Sequence, residues 1–116
     1  MASSFKTVEL SDSVFESQGL RFLTVKTPNL KGRGDICLYV PEVDNIDNLP
    51  IYILLHGVYG SAWIWVMKGG AHKTAKKLME NKNIKPAIIA MPSDGLWGDG
   101  SAYFSHHQKQ FDNWIV

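Results

Sequence analysis

One cysteine, Cys37, is all that the 116-residue chain contains, so no intrachain disulfide can form and stability must come from a buried core. It sits in the apolar run Ile36-Cys37-Leu38-Tyr39-Val40, where a buried, inert thiol is expected. Neither sign of charge dominates. With 12 Lys and Arg against 11 Asp and Glu, the formal net charge of +1 gives no reason to expect nucleic acid or an anionic membrane as a partner. Lys73, Lys76 and Lys77 form the most notable basic grouping, and they read as the solvated face of a helix. No apolar h-region follows Met1, and no apolar run is long enough to cross a bilayer, so neither a signal peptide nor a membrane span is expected. Internal repeats and low-complexity segments are missing as well. The expectation is a soluble, cytoplasmic protein. What is present is ordinary for a globular domain: 45% hydrophobic and 20% charged residues, in a chain long enough for a real core.

The first third reads as antiparallel β-structure. Residues 5–10 alternate apolar and polar as a half-buried strand does, Ser11-Asp12-Ser13 breaks the pattern, and Val14-Phe15-Glu16 is expected to resume it. Gln18-Gly19 turns into a second alternating strand over 20–26. Gly32-Arg33-Gly34-Asp35 predicts another turn, followed by a strand over 35–40 that Pro41 ends. Residues 42–49, acidic and amide-rich, form a surface loop. The character changes at Pro50. Residues 51–55 are nearly all apolar, which predicts a strand covered on both faces. Ala71, Ala75, Leu78 and Met79 then fall on one face of a helix over 69–80, and residues 86–92 read as a second buried strand. Strand, helix and strand make a parallel βαβ unit with a right-handed crossover. The fold class is therefore α/β, with antiparallel strands in 1–41 leading into a βαβ unit in 50–116. A glycine-rich loop over 93–101 follows, and residues 111–116 look like the start of an amphipathic helix, so the chain is expected to end within an element.

The most informative stretch is Pro50-Ile51-Tyr52-Ile53-Leu54-Leu55-His56-Gly57-Val58-Tyr59-Gly60. A parallel strand that ends in His-Gly delivers a loop to the carboxyl edge of the sheet, where open α/β folds place their ligand sites. Glycine there allows a tight turn whose amide N–H groups face the edge and can stabilise an oxyanion. Spacing alone supports equally a tight connection with no catalytic role. Metal chemistry is not expected. Gly98-Asp99-Gly100 with nearby Asp94 lacks EF-hand ligand spacing and a closing Glu, and His72 with His106-His107 forms no zinc-binding pattern.

Leu54-Leu55-His56-Gly57-Val58-Tyr59-Gly60, with Trp63 and Trp65 shortly after, resembles the esterase branch of the α/β-hydrolase superfamily that includes S-formylglutathione hydrolase, feruloyl esterases and the antigen 85 mycolyltransferases. Lys-Pro-Ala-Ile-Ile-Ala-Met-Pro-Ser-Asp-Gly, from Lys85 to Gly95, resembles the next strand of that family and its loop. The resemblance covers essentially the whole chain as an N-terminal half. It implies that the loop at Gly57, Val58 and Tyr59 is the oxyanion loop, with the backbone N–H of Val58 as donor and Tyr59 as its neighbour. By the same resemblance the loop from Ser93 to Tyr103 borders the substrate cleft. Asp94, Trp97 and Tyr103 would then be substrate-facing, though plain packing explains the two aromatics as well. His56 is expected to be a structural hydrogen-bonder beneath the loop.

The family also needs a Gly-x-Ser-x-Gly elbow, and no serine of this sequence has glycine two before and two after. Its triad runs Ser, acid, His along the chain, so His106, His107 and Asp112 precede the expected nucleophile. Residues 1–116 thus read as an incomplete α/β-hydrolase domain, inactive alone. It would be part of a serine esterase acting on a small carboxylic ester or thioester without cofactor or metal. The alternative is a non-catalytic ligand-binding or pseudoenzyme module of the same fold. Such a piece would expose a sheet edge, which favours self-association. Size-exclusion chromatography at micromolar concentration is expected to show associated species, whereas a well-behaved monomer would contradict that reading.

Overall fold

Alternating side chains set up three strands that pair antiparallel in succession. In the computed structural model these are β1 (Thr7–Leu10), β2 (Leu20–Thr27) and β3 (Gly32–Tyr39), in registers that place Thr7 opposite Lys26 and Leu20 opposite Tyr39. The structure describes residues 5–95, 101–105 and 109–115. Two details differ from the sequence expectation. Residues 14–16 do not resume β1. The Asp12 carboxylate accepts the Val14 N–H at 2.9 Å and the Asp12 carbonyl accepts the Phe15 N–H at 2.9 Å, closing a turn that leaves both apolar side chains exposed. Asp competes for local backbone donors in this way, and the competition outweighs the strand propensity of Val and Phe. Nor do residues 32–35 form a turn. The reversal occurs earlier, in a 3-10 turn at Pro28–Leu30 with Lys31 at φ 54°, and Gly32 and Gly34 lie within β3.

Two further strands, β4 (Ile51–Ile53) and β5 (Ile88–Pro92), pair parallel to each other, while β5 also pairs antiparallel with β3. The result is one mixed five-stranded sheet in the order β1-β2-β3-β5-β4. Between β4 and β5 the chain forms α1 (Ile64–Met67) and α2 (Ala71–Glu80). The short α1 has no separate signal in the sequence. β4 is an edge strand, and the expected cover on both faces is not found among the described residues: Ile51, Tyr52 and Ile53 are 61%, 56% and 48% exposed. A short apolar run shows that a strand wants burial, but not which part of a molecule provides it.

The core lies on both faces of the sheet. Leu20, Cys37, Tyr39, Ile89 and Met91 pack with Ala62 and Val66 of the α1 region and Ala75 of α2 on one face. On the other, Val25 packs with Leu30 and with Phe111 and Trp114 of α3 (Phe111–Ile115). Cys37 is fully buried, and loss of hydration pushes its thiol pKa up to about 11, the inert state expected of it.

Trp114 explains the glycine at 34. A β-carbon on Gly34 would sit 2.7 Å from Trp114 Cζ2 and 2.9 Å from Leu30 Cδ1. The indole cannot retreat freely, because its Nε1–H donates to the Ser93 carbonyl at 2.7 Å. Gly34→Ala is therefore expected to lower stability by about 1–3 kcal/mol in urea denaturation followed by circular dichroism. An unchanged midpoint would show that α3 does not press on the sheet as described.

Candidate functional site

The parallel strands β4 and β5 end side by side, so the loops that leave them meet. The backbone N–H of Leu54 extends the ladder by donating to the Ala90 carbonyl at 2.9 Å, and His56, 6% exposed, follows two residues later. Gly57 to Gly60 then close a turn, with the Gly60 N–H donating to the Gly57 carbonyl at 3.0 Å. Tyr59 has φ 65° and Val58 is not in the positive region, the sign pattern of a type II turn. That position favours glycine, and a tyrosine there stores on the order of 1 kcal/mol of backbone strain. Val58 and Tyr59 are exposed at the tip, and their N–H groups make no hydrogen bond among the described residues. A hollow of about 270 Å³ opens beside the turn, lined by His56, Gly57, Ile64, Trp65, Lys68 and Gly69.

His56 holds the turn from below. The Asp94 N–H donates to His56 Nε2 at 2.9 Å, which makes Nε2 an acceptor and puts the ring proton on Nδ1. Nδ1 lies 2.7 Å from the Gly57 carbonyl, to which it donates. The Asp94 carboxylate is 3.8 Å from Nε2, too far for a hydrogen bond, and with a neutral imidazole the two do not form an ion pair. Gly60 completes the fit: a β-carbon there would lie 2.9 Å from His56 Cβ and Nδ1.

The structure brings Asp94 and Tyr103 to this loop. Asp94 is 5% exposed, and its carboxylate accepts the Ser101 N–H at 2.6 Å, while the Ser101 hydroxyl donates to the Asp94 carbonyl at 3.2 Å. Tyr103 donates its phenolic proton to the His56 carbonyl at 2.6 Å, and the two rings meet edge to face. Burial, reinforced by the Asp94 charge, raises the Tyr103 pKa above its ordinary value, so the phenol remains a donor at neutral pH. Ala102 and Tyr103 both have positive φ, 54° and 63°, a strained pair held by the Tyr103 N–H bond to Ser101 Oγ at 3.1 Å. Tyr103 thus ties its loop to the first through its side chain, and Asp94 does so through its backbone N–H, while the Asp94 carboxylate organises its own loop. Trp97, Asp99, His106 and His107 lie outside the described residues.

Two contributors escaped the sequence reading. Ser101 is buried and organises the Asp94 loop, but a lone serine after Gly-Asp-Gly carries no pattern. Gly60 was legible in principle, since His-Gly-x-x-Gly spaces a second glycine beneath the imidazole. Ser93 is fully buried, with its N–H donating to the Asp35 carbonyl at 2.8 Å and its own carbonyl occupied by Trp114, so it cannot present a nucleophile. Among the described residues there is no cluster of three metal-ligating side chains and no helix long and apolar enough to cross a membrane.

No family model matches the chain, and no curated protein matches it. Solved structures do. A ferulic acid esterase superposes with a TM-score of 0.70 at 17% identity, over 92% of this chain and 40% of the other. The apoenzyme of S-formylglutathione hydrolase from Staphylococcus aureus superposes with a TM-score of 0.55 at 11% identity, over 94% of this chain and 40% of the other. At such identities the likeness is one of fold: the mixed sheet and its flanking helices are arranged as in these esterases, and the chain spans 40% of their length.

The inter-loop ties have measurable weight. His56→Ala leaves the buried Asp94 amide without its acceptor and is expected to cost about 1–3 kcal/mol in urea denaturation, whereas Tyr103→Phe, which removes one hydrogen bond, is expected to cost about 1 kcal/mol. A His56→Ala protein as stable as the parent would contradict the tie.

Proposed function

We propose that this chain provides the oxyanion-loop portion of a serine esterase with the α/β-hydrolase fold, its antiparallel strands leading into the βαβ unit that carries the loop. The observation that carries the reading is the strained, solvent-facing turn at Gly57, Val58 and Tyr59. It is held by a buried histidine at the end of a parallel strand, in a fold shared with two esterases. Strained backbone at a loop tip is retained where surrounding structure over-determines it, as at ligand clamps.

In this reading a serine oxygen attacks the carbonyl carbon of a carboxylic ester or thioester. The carbonyl oxygen becomes an oxyanion, accepted in part by the Val58 N–H, and the alcohol or thiol departs with a proton to leave an acyl-serine that water hydrolyses. The hollow between the turn and Trp65 would take part of the acyl or alcohol group. The nucleophile elbow, the acid and the catalytic histidine would be supplied by sequence outside these 116 residues, because none of the serines here has the elbow pattern. That same missing elbow favours the second reading, a non-catalytic module that retains the ligand-facing loops.

The reading frame beyond Val116 separates the two, since a Gly-x-Ser-x-Gly followed by an acid and a histidine belongs only to the enzyme. In the protein that carries the elbow, Val58→Pro is the decisive variant. Proline suits the second position of a type II turn, so the loop is kept while its N–H is deleted. The expected result is a fall in kcat for p-nitrophenyl acetate of about 10²–10³-fold, with KM little changed and Val58→Ala fully active. Activity of the proline variant close to that of the parent would remove Val58 from the oxyanion site.

A further inference from the structure

A single side-chain bond ties the first turn of α2 to the turn ahead of β2. His72, the second residue of the helix, is 6% exposed, and its Nε2 lies 2.9 Å from Gln18 Oε1. An amide oxygen can only accept, so Nε2 carries the ring proton and donates it. Gln18 (φ 58°) and Gly19 (φ 77°) make that turn, and the Val40 N–H bond to the Gly19 carbonyl at 2.8 Å fixes it to the end of β3. The other ring nitrogen, Nδ1, is buried and has no hydrogen-bond partner among the described residues. Buried polar atoms are nearly always paired, so an orphan of this kind calls for an explanation.

No group around the ring favours a second proton. That proton would sit on Nδ1, where no acceptor meets it, and would place a cation in a buried site. The hollow of about 230 Å³ beside the ring is lined by Gln18, Lys73 and Lys76, so its charges are positive and cannot accept. The carboxylates of these two segments are engaged elsewhere, Glu16 with Arg21 at 2.9 Å and Glu80 with Lys76 at 3.9 Å. The helix packed on α2, α1, has no titratable side chain. From the sheet, Cys37 and Tyr39 share a cluster with Ala75 of α2, and burial raises the pKa of each, so both stay neutral. Burial, and then the Lys73 charge, lower the His72 pKa below its ordinary 6.5, in agreement with this geometry.

We infer that the His72–Gln18 contact is an acid-sensitive latch, in which the imidazole holds the start of α2 while neutral and releases it when protonated. In a locally opened segment the ring regains its ordinary pKa, so the closed form binds fewer protons than the open one. The stability of the closed form is complete above pH 6.5 and is lost as pH falls from 6.5 toward the lowered value. The release reaches the hollow beside the turn at Val58 and Tyr59. Gly69 lines that hollow, and the next residue, Gly70, accepts the Lys73 and Thr74 N–H groups at 3.0 and 3.1 Å. Wall and first turn are therefore one continuous segment, firm at neutral pH and loosened in mild acid. The latch is independent of whether the loop serves an esterase.

Residue-resolved NMR of the 116-residue chain tests the latch. At neutral pH the His72 proton should be on Nε2 with Nδ1 unprotonated, and titration should place the pKa of the ring below 6.5. Amide protection factors of Gly70, Lys73 and Thr74, corrected for the intrinsic pH dependence of exchange, should fall about threefold to tenfold from about pH 7.5 to about pH 5.5, and that of Met91 less. His72→Gln keeps a side-chain N–H donor for Gln18 without a titrating group, so the fall should vanish there, which also separates His72 from the other histidines. Should that variant not fold, the titration and protection of the parent decide. A ring proton on Nδ1, a His72 pKa at or above 6.5, flat protection over that range, or an equal fall in His72→Gln each overturns the latch.

Discussion

The imidazole of His56 is the joint on which the candidate site depends. It is buried between the ends of two parallel strands, and both ring nitrogens are committed, one to the Asp94 amide at 2.9 Å and one to the Gly57 carbonyl at 2.7 Å. Its backbone carbonyl takes a third bond from Tyr103 at 2.6 Å. A group so fully occupied sets the positions of neighbouring backbone groups and does not move protons for a substrate. The turn at Val58 and Tyr59 can be strained and exposed because the residue that precedes it is fixed from three directions.

The second loop is fixed by packing from the opposite face of the sheet. Phe111 and Trp114 of α3 press on glycines, and a β-carbon on Gly95, at φ 107°, would lie 2.7 Å from Phe111 Cε1. Trp114 also holds the Ser93 carbonyl, so the segment from Ser93 to Gly95 is held by α3 from one side and by His56 from the other. The two loops thus share one anchor between them and one support beneath.

Much of this was legible in the sequence, and the failures share a cause. Residues 20–26 alternate, and β2 is found there; Ala71, Ala75, Leu78 and Met79 repeat with helical spacing, and α2 is found there. Periodicity records which face of an element seeks burial. It does not record local competition for backbone donors, which turned Asp12 to Phe15 away from a strand, or the tertiary contact with Trp114, which placed Gly34 inside β3. Nor does it say what lies against β4. At the site, His-Gly marked the loop, while the partners that hold it, Ser101 and the amide of Asp94, are supplied by backbone and by a lone serine that form no motif.

The account rests on His56 as an anchor rather than a base, and the location of its ring proton tests that most directly. Long-range ¹H–¹⁵N NMR correlation spectra of the imidazole at neutral pH should show Nδ1 protonated and Nε2 with the shift of an unprotonated, hydrogen-bonded acceptor. A proton on Nε2 at that pH would contradict the bond from the Asp94 amide, and with it the way the turn at Val58 and Tyr59 is held.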